Sequence, residues 1–444
     1  MALKIKKKYN ADKKLVVITI LGTVGGRFNQ DSKEFVFIPS TNKSIYHSND
    51  DVIKIKKERY TNTLPLLIDS FDCEIIPVFT QDAKYVQLEV LKNLEEMEKE
   101  ISVFKNGYLL EDEQDFKKVF QIIHNIVENS QYDRLIIDVT HGFRHLPLLV
   151  LIELMMLHFK DTSKIEKILF AKEEIKPIKE NNFVGKYDLI DLKEYLDIAN
   201  ISFILTNFDK NFTVANHIKS EKYQNLINAL NDFSNDIMAL NLNGLFEKSS
   251  KRLIEELKKI NDVSIISQSE DLLEKIDNMT NYNDKKRYRT YYDLAELLVD
   301  KNYILLSMSL LYESIRLYIK TMIKKSHKEL VEKVEKALNN DLYKIGDFFI
   351  KFKDDYTYEK LQKKSDYKNI ITQKEFNQIK IAFPKIVLNQ YKFNINYNKD
   401  KSLLDTISHS RNSLAHATSQ KSFEDIKKNI QEILEKYKEV CIEK

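Results

Sequence analysis

The chain has 444 residues, 43% hydrophobic and 31% charged, with Lys+Arg 70 against Asp+Glu 67 and a formal net charge of +3. That length exceeds one ordinary domain, and that composition excludes disordered, collagen-like and coiled-coil chains. The near balance of charge excludes a chain-wide field that would announce nucleic acid or a membrane as partner.

Two cysteines, Cys73 and Cys441, build neither a disulfide framework nor a Cys-based zinc site, which points to a reducing compartment and a cytoplasmic protein. The longest apolar stretch, 146–159, holds Glu153 and His158 and is too short to span a bilayer, so no membrane partner is expected. Residues 1–10 are basic, with Lys4, Lys6, Lys7 and Lys8 read as a solvated tail, and the apolar run after them lacks a cleavage site.

In chain order, the run 15–21 is short, continuous, apolar and β-branched, the pattern of a strand buried on both faces. It ends in Gly22-Thr23-Val24-Gly25-Gly26-Arg27, whose three glycines let backbone N–H groups approach a ligand as phosphate sites require. The spacing is not the dinucleotide fingerprint, and a tight turn is an equal reading. Similar strand runs recur at 34–38, 73–79, 135–139 and 165–170, with helical patterns at 85–101, 116–129 and 146–159 between them. Alternation of this kind implies a parallel sheet with helices on both faces, binding ligands at its strands' carboxyl ends.

The second such loop is Asp138-Val139-Thr140-His141-Gly142-Phe143-Arg144-His145. Thr140, His141 and Arg144 can donate to phosphate or ribose oxygens, and a helix follows, whose N-terminus favours anions. Singly, Asp138 could cap the turn, His141 could be a satisfied core histidine, and Arg144 could be solvated. Their crowding at one strand end favours ligand binding.

Six of the 8 glycines lie at or before Gly185 and five of the 6 prolines at or before Pro177. Both residue types are depleted in long helices. The chain therefore divides into an α/β domain over 1–210 and a helical region over 211–444, with the boundary near 207–216. Helical patterns cover 221–240, 246–260, 291–324 and 423–440, and Ile304, Met308, Leu311, Ile315, Ile319 and Met322 make one apolar stripe. Residues 285–292 mix Lys285, Lys286, Arg287 and Arg289 with tyrosines, a pattern of single-strand RNA contacts or, twice as well, of a solvated helix start. Glu313 and Arg316 read as a surface pair.

Near the C-terminus, Arg411-Asn412-x-x-x-His416 lies in a stretch where His409, Asn412, Ser413 and His416 share one helical face. Such a face is a poor choice for a core and a good one for acid–base chemistry. Arg411 points away on an ideal helix and must start the helix or use its length to converge.

Asp138-x-Thr140-His141-Gly142 resembles the signature of CRISPR-associated proteins with a Rossmann-like CARF domain, and Leu21-Gly22-Thr23 resembles that family's other ligand loop. Arg411-Asn412-x-x-x-His416 resembles the catalytic motif of HEPN ribonucleases, and the order CARF then HEPN matches type III CRISPR accessory nucleases. The resemblance implies a homodimeric sensor of cyclic oligoadenylate. Gly22, Thr23, Arg27, Thr140, His141, Gly142 and Arg144 would face that ring, cyclic tetra-adenylate being favoured over the hexa-adenylate. It implies Arg411, Asn412 and His416 as catalytic residues for single-stranded RNA, with no cofactor, no metal and no DNA substrate. Role for role, Glu313 and Arg316 could also orient Arg411. Two other readings stand: a non-catalytic regulator that senses the same ligand, and a ring nuclease in which His141 or Thr140 degrades it.

Overall fold

The computed structural model describes residues 14–23, 27–29, 31–36, 44–50, 53–92, 101–111, 115–129, 131–141, 145–160, 164–174, 185–214, 220, 222–280, 287–353, 356–391, 393, 401–416 and 421–443. The chain divides into two units. One holds Met1–Thr206, Val214–Asn228 and Asp262–Ile265, the other Asn207–Thr213, Ala229–Asn261 and Ile266–Lys444.

In the first unit the strands are β1 (Leu15–Ile20), β2 (Ile45–His47), β3 (Glu74–Thr80), β4 (Tyr108–Leu110), β5 (Arg134–Asp138), β6 (Ile165–Glu173) and β7 (Lys186–Asp191). The helices are α1 (Thr63–Ser70), α2 (Gln81–Lys92), α3 (Phe116–Val127), α4 (His145–Lys160) and α5 (Lys193–Asn211). The strands form one sheet in the order β2-β7-β6-β5-β1-β3-β4. Its central run is parallel, β6-β5-β1-β3-β4. The sheet is nonetheless mixed, because β7 runs antiparallel to β6 and β2 runs parallel to β7.

The reason β1 is apolar throughout is visible in its alternation. Val16, Ile18 and Ile20 pack toward α3 and α4, while Val17 and Leu21 pack toward α1 and α2. The strand expected over 34–38 is not in this sheet: Glu34–Val36 pairs antiparallel with Arg27–Asn29 as a separate ribbon. Lys33, just before Glu34, takes φ 55 without being the glycine or asparagine that would have advertised it. Three strands of this sheet went unread, β2 and β4 for their three-residue length and β7 for its polar sequence KYDLID.

The second unit is helical. Among its helices are α6 (Gln224–Met238, which begins in the first unit), α7 (Ser250–Leu257), α8 (Ile266–Thr280), α9 (Arg287–Asp300), α10 (Ile304–Ser326), α11 (Lys328–Ala337), α12 (Leu342–Ile350), α13 (Gln373–Ala382), α14 (Leu403–Ala415) and α15 (Phe423–Tyr437). The single helix expected over 291–324 is two. Tyr303 N donates to Leu298 O at 2.7 Å and Asn302 N to Val299 O at 2.9 Å, with Asn302 at φ 67, the two-bond cap that terminates α9. The apolar stripe of α10 is buried from Ile304 to Ile319, Met322 being only half-buried. Tyr288, Tyr291 and Tyr292, offered as RNA contacts or as part of a solvated helix start, are core residues, Tyr292 stacking on Tyr437 at 5.5 Å.

Candidate functional sites

In the first unit, β1 and β5 are neighbours in register, with Thr19 beside Asp138. The loops that leave them therefore emerge side by side, about 5 Å apart by strand spacing. Helix placement also reverses here, with α1 and α2 on one face and α3 and α4 on the other. This is the switch point at which such sheets hold ligands.

Beneath the two loops lies a polar network. Asp138, 1% exposed, accepts from the Thr19 hydroxyl at 2.8 Å and the Thr63 hydroxyl at 2.9 Å through Oδ2, and from Thr140 N at 3.1 Å through Oδ1. Three donors compensate a carboxylate for its lost water. Asp138 is thus an anchor that sets the Thr140 backbone. Thr140 Oγ1 accepts from Ala171 N at 2.9 Å, tying the loop to β6. On the other loop, fully buried Gln87 donates to Gly22 O at 3.4 Å and accepts from Asn62 Nδ2 at 2.9 Å, while Asn62 caps α1 through Leu64 N.

His141 keeps some surface exposure, but its Nε2 is enclosed and meets no hydrogen-bond partner. Burial pushes its pKa below the ordinary 6.5, with the Asp138 carboxylate pulling the other way. Gly22, Thr23, Thr140 and His141 are all partly exposed along this edge. Arg27 lies in the short ribbon, its side chain outside the described residues, and Gly142 and Arg144 fall outside them altogether.

In the second unit, Ser402 opens α14 by accepting from Asp405 N at 3.1 Å. His409, Asn412 and His416 are exposed, as their shared face requires, and His416 caps the helix with its N–H on Asn412 O at 3.0 Å. Arg411 sits within the helix and uses its length: Nη1 donates to Asn412 Oδ1 at 3.0 Å, and the guanidinium carbon lies 5.8 Å from the Tyr312 ring centroid.

Tyr312 meets a second guanidinium, that of Arg316, at 5.4 Å. Arg316 is not part of a surface pair, being only 2% exposed. Its Nη1 donates to Glu313 at 2.6 Å, Nη2 donates to the Tyr343 carbonyl, and the guanidinium covers the Tyr343 ring at 4.7 Å. Burial pushes the Glu313 carboxyl upward, against the pull of Arg316 and Arg411. Sequence reasoning singled out Arg411, Asn412 and His416 as candidates, and Glu313 and Arg316 chiefly as a surface pair. It did not foresee that Tyr312 and Tyr343 would pack against these guanidinium groups, since no spacing rule links α10 or α12 to α14.

Among the described residues, no group of three or more His, Cys, Asp or Glu is gathered to hold a metal, and no helix is long and apolar enough to cross a membrane. No protein-family model matches the chain, and no curated protein does. Among solved structures, Enterococcus italicus Csm6 bound to cyclic hexa-2'-fluoro-hexa-dAMP is similar at 11% identity and a TM-score of 0.38, over 97% of this chain and 96% of that one.

Proposed function

We propose that this chain is a metal-independent, single-stranded RNA endoribonuclease of type III CRISPR defence, switched on by cyclic oligoadenylate. The observation that carries the reading is the coexistence of two sites in one chain. The Asp138-x-Thr-His-Gly loop leaves the switch point of a mostly parallel sheet, and Arg411, Asn412 and His416 belong to a helix that exposes Asn412 and His416.

The chemistry follows from those residue types. A neutral histidine takes the proton of a ribose 2′-hydroxyl as that oxygen attacks the adjacent phosphorus. A protonated histidine returns a proton to the departing 5′-oxygen, leaving a 2′,3′-cyclic phosphate and a 5′-hydroxyl. The Arg411 guanidinium, aimed by Asn412 and Tyr312, stabilises the charge growing on the phosphoryl oxygens. DNA has no 2′-hydroxyl and is not cut. In a homodimer, two His416 side chains supply base and acid to one cleft. Support for pairing comes from α4, where Leu148, Ile152 and Met156 recur every fourth residue and are 61%, 50% and 47% exposed.

A second reading, turnover of the ring in the first unit, is favoured by one observation, the enclosed and unpartnered Nε2 of His141. One experiment separates the readings. A fluorescent single-stranded RNA is incubated in EDTA with cyclic tetra-adenylate, cyclic hexa-adenylate or neither. Wild type cuts only with one of the rings, and His416→Ala lowers the rate by about 10²-fold or more while ring turnover is spared. If a ring binds yet provokes no cleavage, the Arg411/His416 assignment fails and a non-catalytic sensor takes its place.

A further inference from the structure

We propose that Tyr343 is a base-stacking platform for the RNA strand beside the Arg411–His416 motif, an inference that rests on the ribonuclease reading above. Tyr343 stands in the first turn of α12 with 66% of its surface in water. An aromatic side chain so exposed is common; one so firmly seated is not. Arg316 grips the residue twice, covering one ring face at 4.7 Å and donating Nη2 to the residue's own carbonyl.

Arg316 is itself fixed, 2% exposed and bonded to Glu313 at 2.6 Å. The backbone of Gly346 closes over it, so that a Cβ there would lie 2.8 Å from Nε. The ring is therefore a rigid surface with one face backed by a cation and the exposed remainder turned to solvent.

The same guanidinium places this surface near the chemistry. Arg316 lies 5.4 Å from the Tyr312 ring, and Tyr312 lies 5.8 Å from Arg411. Tyr343, Arg316, Tyr312 and Arg411 thus form one chain of contacts, and a short stretch of extended strand spans it. The flat, uncharged ring face offers a base a π surface, and only the hydroxyl could reach a phosphate, so the ligand chemistry of the face is a nucleobase of any identity. Arg411 takes the phosphate, and Tyr343 holds a base flanking it.

The test uses the full chain, with cyclic tetra-adenylate and cyclic hexa-adenylate added in separate arms. Binding is read by anisotropy of a fluorescein-labelled 2′-O-methyl RNA, which has no hydroxyl to attack, and cleavage by KM and kcat on the matching ribose RNA. Tyr343→Ala raises Kd and KM about tenfold with kcat nearly unchanged and an unaltered melting temperature. Tyr343→Phe behaves as wild type, and Tyr195→Ala, at a 67% exposed tyrosine of the first unit, changes nothing. Unchanged Kd and KM in Tyr343→Ala overturn the platform, and so does a Tyr343→Phe variant as weak as Tyr343→Ala, which would assign the effect to the hydroxyl. Both results leave the His416→Ala outcome standing. A wild type that neither binds nor cuts single-stranded RNA overturns the ribonuclease reading as well.

Discussion

His141 carries two properties that pull apart. Its position at the carboxyl end of β5 makes it a ligand candidate, while its enclosed Nε2 favours the neutral ring. Because the folded pKa is below the unfolded 6.5, the unfolded chain takes up this proton first. The neutral ring's contribution to stability is complete above that pH and declines as pH falls below it. Denaturant melts between neutral pH and mild acid should show a stability loss that His141→Gln reduces; parallel curves for the two proteins would refute the sign. At this scale the motifs were legible because their histidines, arginines and asparagine crowd together at fixed spacing in the chain. The surroundings of Arg316 were not. A charged pair three apart on a helix is usually solvated, and what buries this one is Gly346 and Tyr343, brought from α12 by folding.

At the scale of elements, β1, β5 and α4 were readable because each answers one strong rule: continuous apolar runs for strands covered on both faces, and a long apolar pattern for a helix packed on them. Elements that answer weaker rules escaped. Three-residue strands take their stability from the strand they join, and the end of α9 uses Asn302 where a glycine would have been noticed. Helix α4 adds an expectation of its own. Its apolar residues exceed what the core covers, leaving Leu148, Ile152 and Met156 exposed in one row directly after the Thr140–His141 loop. Under the proposed pairing through α4, Ile152→Glu places a charge in the middle of that row and should yield a monomer where wild type sediments as a dimer, with the melting temperature little changed. A variant that sediments as wild type would remove α4 from the interface.

For the whole molecule, the skew of glycine and proline toward the front of the chain marked the α/β unit because short strands and loops consume turn residues. The helical unit also turns, with asparagines at 302, 339, 340 and 369 taking positive φ in place of glycine. The register of β1 on β5 has a consequence for how the proposed ligand edge responds to change. Gly22 and Thr140 are 118 positions apart in sequence, yet each is tied to the same few ångströms of sheet edge, Gly22 through Gln87 and Thr140 through Asp138. The two ties are therefore energetically coupled: in a double-mutant cycle, Thr63→Val and Gln87→Leu should depart from additivity in ring affinity by about 0.5–3 kcal/mol, as contacts joined through adjacent Asn62 and Thr63 do. Asn62, Thr63 and Gln87, which carry that coupling, lie in the stretch of chain between the loops, so changes of length there keep the geometry of this edge only in turns that do not hold them.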